Sequence, residues 1–214
     1  VEFPDTMKKP IKAHAAILAN SSIPFRNAME AGGTVTFEIY DDPMDLFPKV
    51  LDYLYSGEIQ FIDEELMPLL HIAKVYNIPS LKDRLLLHLE NVVNRDNIFD
   101  FYNVCYNYGL ISEAMDETES LIPYFVSNFN QLSIDNFSKC VDVFTFCKVL
   151  SLIPTLTNQE KIDYLDQFIG DYVFDDEDGE DEMNACMSLF NLGSREVRTL
   201  LSGNHRWIPN GSLK

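Results

Sequence analysis

Apolar residues in the first part of this chain follow two alternating periods. The run TVTFEIY (34 to 40) places Val35, Phe37 and Ile39 on one face, which predicts a half-buried strand. Immediately afterwards the period becomes helical. Phe47, Val50, Leu51, Leu54 and Tyr55 recur at i, i+3, i+4, i+7 and i+8, predicting a core-facing stripe. Asp41-Asp42-Pro43 reads as the start of that helix, a capping acid with proline in the first turn, and Gly57 as its stop. EIQFI (58 to 62) predicts a short strand, and VEFPDTMKKPIK (1 to 12) predicts two extended pieces about a Pro-Asp turn. Between them lie a short helix over 13 to 19, a break at Asn20-Ser21-Ser22, and a second helix carrying Phe25 and Met29, ended by Ala31-Gly32-Gly33. Asp63 reads as the cap of a helix with Leu66, Leu69, Leu70 and Ala73 inward, and Asn77 as its end. Ser80 then opens a helix with Leu81, Leu85, Leu89 and Val92 as its stripe.

Beyond Asn94 the strand period vanishes. Asp96 reads as a cap for a helix bearing Phe99, Tyr102, Val104, Cys105 and Tyr108, closed by Gly109. Helical segments follow over about 112 to 130, 134 to 151 and 157 to 173, with further helix from Met183 and within 194 to 202. The expected organisation is an α+β domain over 1 to 93, an all-α domain over 94 to 202, and an irregular tail over 203 to 214.

Composition narrows the function classes. With 46% hydrophobic residues the chain can fill a core in each domain, which disorder could not. A net charge of −18 argues against nucleic acid or an anionic membrane as a direct partner, because both need clustered Lys and Arg. Seven carboxylates sit in FDDEDGEDE (174 to 182), which lacks the ligand alternation of a calcium loop and reads as a solvated loop. No apolar run reaches membrane-spanning length. Cys105, Cys140, Cys147 and Cys186 show no metal or paired spacing and read as reduced thiols of a cytoplasmic or nuclear protein. The sequons at Asn20, Asn136 and Asn210 accordingly read as chance matches.

Candidate chemistry is sparse. His14 has no partner His, Cys or acid at ligand spacing, so a structural role in a helical turn outweighs a metal or catalytic one. His71 and His88 lie on amphipathic helices and His205 in the tail, with no triad to unite them. The aromatic residues between 99 and 129 follow core spacing rather than that of a cofactor box. Phosphate loops, dinucleotide fingerprints and nucleophile elbows are absent from the sequence. Neither an enzyme nor a cofactor is therefore expected.

Three motifs in order carry a resemblance. The first is Lys12, His14, Leu18, Ser22, Phe25 and Met29; the second is Leu51, Tyr53, Leu54, Tyr55, Gly57 and Ile59; the third is Leu70, Ala73, Tyr76, Ile78 and Leu81. Together they resemble a BTB/POZ domain without its opening helix and most of its first strand. Residues 94 to about 201 resemble the helical BACK domain, through NRDNIFDFYNVCYNYGL, YFVSNFNQL and EKIDYLDQFIGDYVF, although Val173-Phe174 stand where that family often has Trp.

The resemblance implies a small sheet with clustered helices, and a function by contact alone. It implies protein partners, a homodimer in the full-length protein, and docking on a cullin scaffold as a ubiquitin-ligase adaptor. The alternative is a self-associating scaffold in transcriptional or cytoskeletal assemblies. His14, Leu18, Ser22, Phe25, Tyr53, Leu54, Tyr55, Gly57 and Ala73 would be structural, with Leu18 and Phe25 in the core. Met29, Glu30, Asp42, Met44 and Phe47 would form the partner contact. Cullin-binding relatives usually carry a hydrophobic-x-Glu motif after the second hairpin helix; here MEAGGTVTF offers only the adjacent pair Met29-Glu30. Lacking the opening elements, residues 1 to 214 are expected to be monomeric or weakly dimeric.

Overall fold

The computed structural model describes residues 11–30, 37, 39–111, 117–169, 188 and 190. The chain divides into two compact units, Val1–Asn91 and Val92–Lys214.

In the first unit, α1 (Ala15–Ser21) and α2 (Ile23–Glu30) form a hairpin, and α1 also packs on α3 (Phe47–Ser56). The hairpin turns at Ser22, whose extended backbone (φ −145°, ψ 129°) ends α1. α3 ends at Gly57 with φ +75°, a left-handed conformation that glycine adopts without a Cβ penalty, and its N–H returns to Tyr53 O at 2.7 Å. α4 (Asp63–Val75) lies at the centre: eight successive residues, Leu66 to Ala73, are buried, so it has no solvent face over that span. Pro68 within it removes one ladder hydrogen bond, to Glu64 O, and exposed Glu64 leaves that carbonyl within reach of water. Lys49 on α3 pairs with Glu65 on α4 at 2.5 Å, fixing the start of α4. Asn77 (φ 47°) turns the chain into α5 (Pro79–Val92), which buries Leu81, Leu85 and Leu89.

The second unit contains α6 (Ile98–Asn107), α7 (Ile122–Asn128), α8 (Ile134–Cys140), α9 (Val143–Leu152) and α10 (Asn158–Ile169). α6 packs on α8, α7 on α9, and α10 on both α8 and α9. Their shared core is aromatic: Phe125, Phe137 and Phe146 are fully buried, and Phe146 stacks on Phe168 with centroids 4.2 Å apart. Buried Lys161 on α10 donates to Ser151 O (3.2 Å) in the last turn of α9, where a cation meets the negative end of the helix. Thr157 and Glu160 close a capping box at the start of α10. The Glu160 carboxylate accepts the Thr157 N–H at 2.8 Å and its hydroxyl at 2.7 Å, and these bonds lower its pKa.

Several sequence expectations need correction. Among the described residues no ladder forms beyond a single bridge at Ile111, so the expected small sheet is not seen. EIQFI is a connection without strand pairing; a strand exists only through its partner, and the other extended segments, 1 to 12 and 34 to 40, lie largely outside the described residues. The acidic run and the tail also lie outside them, as do Cys186, His205 and, apart from residues 188 and 190, the segments from 183 to 202. The α3 stripe is rotated: Tyr53 is buried in place of Tyr55, and Leu54 is half-buried. Leu18 is half-buried rather than in the core, for α1 buries no residue completely. The helix expected over 134 to 151 is two helices, because Asp142 takes the Thr145 N–H (2.8 Å) and starts α9 afresh. α6 starts after Asn97 rather than Asp96.

Candidate partner interface

The loop between Tyr40 and Phe47 leads into α3. A turn at Pro43–Asp45 precedes α3, and α3 therefore begins at Phe47 rather than at Pro43. Met44 (φ 61°) and Asp45 (φ 56°) are both left-handed without being glycine, at a cost of about 1–2 kcal/mol each. Such a conformation persists only where its surroundings hold it. Asp42 supplies one hold, its Oδ1 accepting the Phe47 N–H at 2.8 Å, while the Asp45 N–H donates to Asp42 O at 3.2 Å. Asp41 supplies two more. Its carboxylate meets Nε2 of buried His71 on α4 at 2.8 Å, and its N–H donates to the Tyr76 hydroxyl at 3.4 Å.

Tyr76 belongs to an aromatic cluster that underlies this loop. Phe25 stacks on it nearly parallel with centroids 5.5 Å apart, and Phe47 meets it edge-on at 5.4 Å. Phe37 closes on Phe25 at 4.7 Å. Burial pushes the Tyr76 phenol up from its ordinary pKa; the Asp41 N–H opposes this and the Asp41 charge adds to it. Ser22, also buried, donates to Tyr76 O at 2.5 Å and accepts the Phe25 N–H at 3.3 Å, so the hairpin turn is bonded to the end of α4. Removing the ring of Phe25, 1% exposed, would cost about 3–5 kcal/mol.

Of the five expected contact residues, Met44 and Glu30 are exposed, Met29 and Asp42 half-buried, and Phe47 buried. Phe47 therefore supports the surface from beneath. Residues 31 to 34, which would complete the seam, lie outside the described residues. Exposed Tyr40 adds a large apolar side chain beside the loop, which sequence reasoning passed over as the end of a strand.

His14 is exposed; its N–H donates to the Tyr55 hydroxyl at 2.7 Å, and that hydroxyl also meets Nδ1 at 2.7 Å. The pair ties the start of α1 to the end of α3. Gly57 and Ala73 hold a helix end and the α4 core respectively.

Two polar groupings escaped sequence reasoning. The first is His71 with Asp41 and Tyr76, separated by 30 and 35 residues. The second is a knot in the other unit: Asp142 accepts from the Tyr102 hydroxyl and, at 2.7 Å, from the Thr145 hydroxyl. Burial and then the Asp142 charge drive the Tyr102 pKa well above its ordinary 10.0. Among the described residues no group of three or more His, Cys, Asp or Glu is placed to hold a metal. No helix among them is long and apolar enough to cross a membrane.

With that geometry in place, comparison with known families adds one finding. Residues 5–91 match the BTB/POZ domain. The match spans the α1–α2 hairpin, the loop, α3, α4 and nearly all of α5.

Proposed function

We propose that this chain, through the BTB/POZ domain at residues 5–91, is a non-catalytic interaction module that acts as a substrate adaptor of a cullin-RING ubiquitin ligase and self-associates through its first unit. The family match carries this reading, since BTB/POZ domains act by protein contact. The Met44 loop supports it: an apolar side chain is exposed on a backbone anchored at four hydrogen bonds, a pre-organised contact that loses little entropy on binding. The helical second unit is read as a BACK-like domain that spaces the substrate-binding part from the scaffold.

The test is co-elution. At micromolar concentration the chain should travel with a cullin N-terminal domain on gel filtration, and Met44→Glu should reduce the complex at least about tenfold. Separate elution of the wild-type chain would overturn the adaptor reading. A scaffold with no ubiquitin role is the second reading, favoured by the adjacent Met29-Glu30 pair where cullin binders space the two. It is distinguished by the absence of cullin binding, since both readings include self-association. Residues 1 to 214 alone should then scatter as a monomer or a weak dimer.

A further inference from the structure

We infer that His71 and Tyr76 are positioning residues for the docking loop, acting through Asp41 to hold Met44 in its solvent-reaching, left-handed conformation. The inference deepens the proposed function and rests on the reading of this loop as a contact surface. It starts from a conflict. Met44 and Asp45 adopt φ of 61° and 56°, which a free loop of non-glycine residues abandons. Whatever selects that conformation must therefore be bonded to the loop from outside it.

At the downstream end, Asp42 accepts the Phe47 N–H, which ties the loop to the buried first residue of α3. The upstream end is different. Asp41 is fixed to α4 and to the residue that caps its C-terminus, through His71 Nε2 at 2.8 Å and the Tyr76 hydroxyl at 3.4 Å. Both anchors are rigid. His71 is 6% and Tyr76 5% exposed, His71 lies within the fully buried stretch of α4, and the Tyr76 ring is stacked on Phe25. The Asp41 side chain is by contrast 51% exposed, so it reaches from the surface to a buried donor. A polar group buried at the centre of a helix that could have been all apolar is costly unless satisfied, and satisfying it here fixes the loop. Neither His71 nor Tyr76 need touch the partner.

The full chain with Asp41→Ala, His71→Leu, His71→Gln and Tyr76→Phe separates the alternatives by hydrogen exchange. In Asp41→Ala and His71→Leu the amides of residues 42 and 44 to 46 should exchange about tenfold faster while those of α4 stay protected. Tyr76→Phe should show a smaller rise, and His71→Gln, which keeps a donor near Nε2, should recover most of the protection. Cullin affinity should fall with loop exchange at unchanged unfolding midpoint in Asp41→Ala. Loop exchange equal to wild type in Asp41→Ala overturns the inference, as does a rise spread equally over α4, which would mark a loss of core alone. If the wild-type chain binds no cullin, the docking reading falls while the exchange pattern still decides whether Asp41 anchors the loop.

Discussion

Polar side chains inside this chain join segments that lie far apart in sequence, and their chemistry sets how stability responds to pH. Tyr102 gives the sharpest case. Its hydroxyl is bonded to Asp142 and its pKa is raised above 10.0 by burial and then by that carboxylate. A raised folded-state pKa means stability present below the unfolded value and lost as pH climbs through and above about 10. Tyr102→Phe should therefore cost about 1 kcal/mol near neutral pH. The gap between wild type and variant in urea melts should narrow as pH rises past 10; a gap constant to pH 11 would contradict this assignment. Local signals made some residues legible beforehand: Ser22 breaks a helical period, and Phe25 follows on the apolar face. His71 and Asp41 were not, because a His among leucines reads the same whether its partner is water or a carboxylate 30 residues away.

Helix ends are where element-scale predictions are firmest. Gly57 combines φ +75° with open space about the position of a missing Cβ, so Gly57→Ala adds strain without a clash. It should destabilise the first unit by about 1 kcal/mol, with Gly57→Asn costing less, as read from thermal melts. Equal stability of Ala and Gly there would mean that α3 ends differently. Helix periods were legible in α5, with Leu81, Leu85 and Leu89 inward, and less so in α3, where Tyr53 rather than Tyr55 is buried. Starts were less so. Asp42-Pro43 resembles a helix opening, yet the acid reaches over an intervening turn to Phe47, a distinction made by backbone angles that no spacing encodes.

At the scale of the whole molecule, net charge acts against compactness. With −18 spread over 214 residues, self-repulsion should be relieved by salt. Raising NaCl from ~20 to ~300 mM should lift the thermal midpoint by a few degrees, and a fall would show that specific ion pairs outweigh the repulsion. The sequence changes from mixed to purely helical patterning near residue 93, yet the described elements of both units are helical; the sheet was expected from alternation and from the resemblance, and alternation names no partner. One consequence lies in α4. Being enclosed on every side from Leu66 to Ala73, it offers no grip: nothing can bind it, slide it or tilt it without first dismantling its surroundings. Whatever this unit communicates must travel around that immobile axle, through the hairpin, the loop and the helix ends at its rim.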